Sequence, residues 1–149
     1  MKYALIIFVC TLFVSCNDSE ETDYTVKNDL EIQEYIAANN LNAEKSATGL
    51  YYVINEEGTG EQPTATSDVT VAYKGYFTDK AVFDQSDAEG ISFNLQQVIA
   101  GWTEGITYFK EGGNGILLVP SSLGYGSSGR AGIPGGSVLI FEVNLVSVN

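Results

Sequence analysis

The stretch Val98-Ile99-Ala100-Gly101-Trp102 sets two β-branched residues, a glycine and the only tryptophan of the chain at the mouth of a short helix that runs on from Thr103 to Phe109. Everything around it is patterned as strands. An indole is large and seldom hidden unless something packs over it or a ligand takes the place of that packing. On its own, Trp102 reads as the core residue of a lone helix. Set among strands, a buried indole at this point becomes the floor of an apolar cavity.

Working outward, residues 50–54 form a dense apolar and aromatic run closed by a Gly-containing turn over 55–60. In residues 68–77, Val69, Val71, Tyr73, Gly75 and Phe77 alternate onto one face, which places Tyr73 on the core side. A turn at Thr78-Asp79-Lys80 leads into Val82-Phe83-Asp84, and a polar loop follows through Gly90. Ile91, Phe93 and Leu95 then point one way and deliver the chain to the helix. Beyond it, Gly112-Gly113 stops the helix and residues 116–119 make the next strand. A loop over residues 120–136 holds six glycines and Tyr125. The last strand, 138–148, presents Leu139, Phe141, Val143 and Leu145 on one face. The pattern predicts an α+β fold, an antiparallel sheet crossed by one short helix. Residues 126–132 lack the Gly-Lys-Ser/Thr ending of a phosphate loop and run into a strand, so their glycines read as a loop folded tightly over a cavity.

The first sixteen residues read as a leader. Met1-Lys2 is a short basic region, residues 3–14 are apolar but too short to span a bilayer comfortably, and Ser15 directly precedes Cys16. This resembles a bacterial lipoprotein box in which Cys16 is lipidated and opens the mature chain. An exported protein, lipid-anchored to the cell envelope at the outer membrane, is the expectation. Residues 17–27 are polar and acidic and read as a disordered tether. Asn28, three residues before Glu31, fits a capping box that opens a helix through Asn40 or Leu41. Leu30, Ile32, Tyr35 and Ile36 supply its modest apolar stripe. Such a stripe needs a partner, either the domain or a second copy, so dimerisation through residues 28–41 stays open. Polar residues 42–48 link it to a domain over 49–149.

Composition excludes several classes of function. At 149 residues there is room for one core and a short extension. With 7 basic against 19 acidic residues and a net charge of −12, the chain lacks the basic surface that a nucleic-acid partner requires. There is no histidine, and Cys10 lies inside the leader, which leaves one mature cysteine and no internal disulfide. No metal and no cofactor are expected.

Tyr73, Phe83-Asp84, Val98-Ile99-Ala100-Gly101-Trp102, Leu123-Gly124-Tyr125-Gly126 and Ile133-Pro134, with Phe141 in the final strand, stand in one order and spacing. In these motifs the chain from about Gly49 to Asn149 resembles the FKBP-type peptidyl-prolyl cis-trans isomerases, and within them the Mip-like secreted and lipoprotein forms. The resemblance implies a bent antiparallel sheet wrapped round one helix, with an active cleft between them. Trp102 would be its floor and Tyr73, Phe83, Val98, Ile99 and Phe141 its walls, with Tyr125 and Ile133 offered by the glycine-rich loop. Asp84 would be the polar group at the rim. Tyr73, Asp84 and Tyr125 are the implied catalytic residues. Ile91 falls, after a one-residue deletion, where the family often carries a pocket aromatic. Proline-containing polypeptides are the implied partners, and macrolide-type inhibitors fit the same cleft. Departures gather at the rim: Glu89 stands near a frequent arginine, Arg130 replaces a frequent histidine, and Gly135-Gly136 replaces a proline-containing turn.

The residue types fit such a task without the name. Turning an X-Pro bond needs no nucleophile or acid-base pair, and an aromatic bowl with a phenol and a carboxylate suits no hydrolase built without histidine. The rival reading is a binding or chaperone module that holds prolyl segments without turnover. The insertion of chaperone-type members near the cleft is missing between Tyr125 and Ile133.

Overall fold

The alternating residues 68–77 become β3 (Asp68–Tyr76), the strand around which the sheet is assembled. The structure is a computed structural model that describes residues 23–149; the leader, Cys16 and the start of the acidic stretch lie outside the described residues. Before β3 come α1 (Tyr24–Ala38), β1 (Glu44–Lys45) and β2 (Tyr51–Glu56). After it come β4 (Val82–Gln85), β5 (Ile91–Asn94), α2 (Ala100–Gly105) with a 3-10 turn over Ile106–Tyr108, β6 (Asn114–Val119) and β7 (Leu139–Val148). All strand pairings are antiparallel, in the order β1-β2-β6-β7-β3-β4, with β5 also on β3.

The outer edge of β3 is divided between two short strands. β5 pairs along its first half, from Asp68↔Asn94 to Val71↔Ile91, and β4 along its second, from Lys74↔Gln85 to Tyr76↔Val82. Tyr73 sits opposite the gap between them, where its N–H donates to Ser86 Oγ at 2.9 Å and its carbonyl accepts from Ser86 N at 3.0 Å. The backbone is thereby satisfied without a continuous neighbour. Its ring is left on the concave face.

Helix α2 lies across that face at close range because it offers glycines to the sheet. A Cβ on Gly105 would come within 2.7 Å of both δ-methyls of Leu117, and one on Gly101 would press into Val119. Behind the helix Leu50, Val69, Val71, Leu95, Ile106, Phe109, Leu117 and Leu145 are fully buried. At about 1.5 to 3 kcal/mol for each such side chain, this cluster is the chief source of stability.

The N-terminal segment departs from the sequence reading. Helix α1 begins at Tyr24, five residues earlier than a cap at Asn28 would start it, and Asp23 caps it by accepting from Thr25 N at 3.0 Å. Asn28 is therefore no cap; it is fully buried inside the helix. Its seam is Asn28, Ile32 and Tyr35, at spacings of four and three residues, whereas Leu30 faces outward at 56% exposure. The expected tether accordingly ends before residue 24. The linker is not wholly irregular either, since β1 extends the sheet by two residues.

A single core was also expected, and the sheet is covered on both faces. Ile32 and Tyr35 pack with Tyr51, Val53, Tyr76, Leu118, Val138 and Ile140 in a second apolar cluster. The seam left open between the domain and a second copy is taken by the chain's own sheet. Polar bonds secure the far end: Thr78 Oγ1 donates to Glu31 at 2.7 Å, and Lys80 Nζ bonds Tyr35 Oη and, at 2.9 Å, Asn39 Oδ1.

Candidate functional site

Between the concave face and α2 lies a cleft of about 570 Å³. Its floor follows from a local hydrogen-bond pattern. Ile99 ends an extended segment at φ −59°, ψ 149° and its carbonyl accepts from Trp102 N at 2.9 Å and Thr103 N at 3.1 Å, so the helix starts within one residue of the strand direction. Thr103 Oγ1 donates to Leu95 O at 2.6 Å and ties that first turn to the preceding segment. Trp102 is thus driven inward, 5% exposed.

The indole is held by ring edges on several sides. Tyr73 meets it at 5.0 Å and 89°, Phe141 at 5.2 Å and 83°, and Phe93 at 5.5 Å and 50°. Phe83 stands against Phe141 at 5.5 Å and 89°. Such edge-to-face pairs contribute about 0.5 to 1.5 kcal/mol each beyond their burial, and they fix ring orientation. Gly75 makes room for the wall, because a Cβ there would lie 2.7 Å from Phe83 Cζ and 2.9 Å from Phe141 Cε1. Trp102 Nε1 is the one buried side-chain polar atom without a hydrogen-bond partner among the described residues.

The polar groups sit at the mouth. Tyr73 Oη donates to Asp84 Oδ2 at 2.7 Å, and burial followed by that bond raises the phenol well above its ordinary value. The phenol therefore stays protonated through the physiological range, and its proton is directed to the carboxylate. Tyr125 receives a bond from Arg130 Nη1 at 3.2 Å, and the guanidinium also lies 5.0 Å from the ring centroid. A guanidinium can only donate, so Tyr125 keeps its own hydroxyl proton for another acceptor.

Every residue assigned to the site from sequence lines this one cleft: Tyr73, Asp84, Tyr125, Phe83, Ile91, Val98, Ile99, Trp102, Ile133 and Phe141. Ile91 is a rim residue at 46% exposure. Of the departures, Arg130 lies in the lining, whereas Glu89 and Gly135 do not. Phe93 and Gln97 line the cleft without having been singled out. Phe93 was legible as a core-facing strand residue, and its contact with Trp102 arises because β5 ends immediately before the segment that carries the indole. Among the described residues no group of histidine, cysteine, aspartate and glutamate side chains could hold a metal ion, and no helix is long and apolar enough to cross a membrane.

Comparison with known proteins agrees with this geometry. Residues 59–146 match the family described as FKBP-type peptidyl-prolyl cis-trans isomerase. FkpA of Escherichia coli strain K12, an FKBP-type peptidyl-prolyl cis-trans isomerase, is 46% identical over 105 residues, which are 69% of this chain and 39% of FkpA. The protein of that name from Aeromonas hydrophila is 39% identical over 127 residues, 83% of this chain and 47% of its own. The crystal structure of Escherichia coli FkpA superposes with a TM-score of 0.75 at 40% identity, covering 84% of this chain and 61% of that one. A peptidyl-prolyl cis-trans isomerase from Pseudomonas syringae pv. tomato gives 0.72 at 30% identity, over 84% of this chain and 96% of that one. The chain spans less than half the length of the curated relatives it matches.

Proposed function

The chain belongs to the FKBP-type peptidyl-prolyl cis-trans isomerase family, and from that premise we propose that its cleft accelerates rotation about X-Pro bonds in exported or envelope polypeptides. The observation that carries the reading is the aromatic bowl over Trp102 with the hydroxyl and carboxylate groups of Tyr73, Asp84 and Tyr125 in its lining. Rotation must cross a barrier of about 18 to 20 kcal/mol because amide resonance is lost at the twisted state. In that state the carbonyl oxygen carries less charge and the nitrogen bonds to its neighbours as an amine, so the amide depends less on water. A cleft that takes up the prolyl ring and removes solvent therefore favours the twisted amide over the planar one.

In this mechanism Trp102, Phe141, Phe83, Val98, Ile99 and Ile133 receive the ring, and Ile91 borders the entrance. Tyr125 offers its free hydroxyl proton to a substrate carbonyl flanking the rotating amide, not to the amide's own oxygen, which loses charge on twisting. Asp84, held by Tyr73, presents a carboxylate beside the rotating bond, where its field acts on charge that differs between planar and twisted states. Tyr125→Phe and Asp84→Asn are expected to lower kcat/KM about tenfold each with the melting temperature little changed, since each removes a contact made mainly in the transition state. A protease-coupled assay on proline tetrapeptides checks this. A parent protein without catalysis that still binds unfolded polypeptide would instead identify a holding module.

The reading extends to location. Ser15-Cys16 behind an apolar run supports export and lipidation at Cys16, which would hold the domain at the envelope membrane through a short acidic tether. Cys16→Ala is expected to leave the chain unprocessed or soluble. Recovery of that variant in the membrane fraction, processed and lipid-labelled, would refute the anchor.

A further inference from the structure

Asn28 lies on α1, on the opposite side of the sheet from the cleft and outside residues 59–146 that match the family. It is nevertheless fully buried, and each polar atom of its amide is bound to the glycine-rich loop of residues 120–136 that presents Tyr125. Oδ1 accepts from Ser121 N at 2.8 Å and from Ser121 Oγ at 2.6 Å, and Nδ2 donates to Gly136 O at 2.9 Å. The two ends of the loop are thereby joined through one side chain.

The bonds continue through the loop itself. Gly136 N donates to Gly126 O at 2.9 Å, and Gly126 N donates to Ser121 O at 2.8 Å. From Asn28 Nδ2 through Gly136, Gly126 and Ser121 back to Asn28 Oδ1, the donors and acceptors follow one direction round a closed circuit. Gly126 adjoins Tyr125, and the arc from Gly126 to Gly136 carries Arg130 and Ile133, themselves joined by paired bonds of 2.9 Å. The ring of Tyr24, one turn before Asn28, packs on Gly136, where any side chain would collide with it. Gly126 and Gly136 have φ of +69° and +73°, turns that glycine makes without strain and that any other residue would resist.

We propose that Asn28 is a positioning residue for the cleft: its amide closes a hydrogen-bonded circuit that holds the Tyr125 loop over the prolyl site, which makes α1 a part of the catalytic apparatus. This rests on the isomerase reading above. The amide side chain supplies both the acceptor for Ser121 and the donor for Gly136. Alanine supplies neither. A carboxylate keeps the acceptor and sets a second oxygen against Gly136 O.

The test uses the full chain in detergent, with Asn28→Ala and Asn28→Asp compared with Tyr35→Ala, which loosens α1 two turns away without touching the circuit. Backbone hydrogen exchange is read at Gly126 and Gly136 and at strand β7. In Asn28→Ala the two loop amides should exchange at least tenfold faster with β7 unchanged, the effect of losing one or two net hydrogen bonds on a local opening. Asn28→Asp should release Gly136 in the same manner, and serves if Asn28→Ala does not fold. Tyr35→Ala should leave both loop amides protected. In the proline-peptide assay, kcat/KM should fall severalfold for the Asn28 variants and much less for Tyr35→Ala at a temperature where all are folded. Unchanged exchange at Gly126 and Gly136 in the Asn28 variants would overturn the clamp, as would equal losses of activity in Tyr35→Ala. An inactive parent with the expected exchange pattern would refute the isomerase reading and leave the clamp standing.

Discussion

Removal of residues 1–43 is expected to lower the melting temperature of the remaining domain by 15 °C or more, or to abolish its cooperative transition. Losing Ile32 and Tyr35 withdraws about 1.5 to 3 kcal/mol of burial apiece. The three bonds of Asn28 to Ser121 and Gly136 add roughly 1 kcal/mol each. Together these approach the whole stability of an ordinary domain, about 5 to 15 kcal/mol. The truncation also uncovers Tyr51, Val53, Tyr76, Leu118, Val138 and Ile140, an apolar face that invites association. From sequence the opposite outcome is expected, because the composition of residues 17–48 does not continue the sheet pattern. Thermal unfolding by circular dichroism decides between them: an unchanged melt would show α1 to be an accessory.

The reason the two expectations differ is physical. In α1 the seam contains Asn28, and a polar residue in a buried stripe looks from sequence like a cap or a solvent position. Its three bonds reach residues 93 and 108 positions away, which no local pattern records. The alternation in β3 and β7, by contrast, is a local consequence of the pleat, and it placed Val69, Val71, Tyr73, Phe141 and Val143 on the concave side without further information. Tyr76 carried the missing signal: it belongs to the opposite face of β3, is buried, and burial and its bond to Tyr35 raise its phenol above the ordinary value. A large aromatic on the supposedly solvated face of a strand is a sign that something covers that face. The cleft was legible because its motifs are separated and ordered. Phe93 was legible only as a core-facing strand residue and Gln97 not at all, since their place in the lining depends on how the chain turns between β5 and α2.

Trp102→Leu should affect the cleft more than any change at its mouth. The indole meets Tyr73 and Phe141 edge to face and Phe93 at a tilt, and leucine reproduces none of these ring contacts. Large-to-small substitution in such a site costs about 2 to 4 kcal/mol, divided between lost burial and whatever space the neighbours fail to close. Tyr73 is then free to turn, and with it the hydroxyl that holds Asp84. The prolyl ring would meet a deeper and less defined floor, so binding and turnover should fall together, with kcat/KM down roughly tenfold to a hundredfold, each factor of ten being about 1.4 kcal/mol. Tyr125→Phe should differ in kind, lowering kcat with KM nearly constant, because the floor that binds the ring is untouched. The split between these two variants separates receiving the prolyl ring from acting on the twisted amide. If Trp102→Leu loses stability yet turns over proline peptides at the parent rate, the indole is core alone and the aromatic bowl is not where the X-Pro bond rotates.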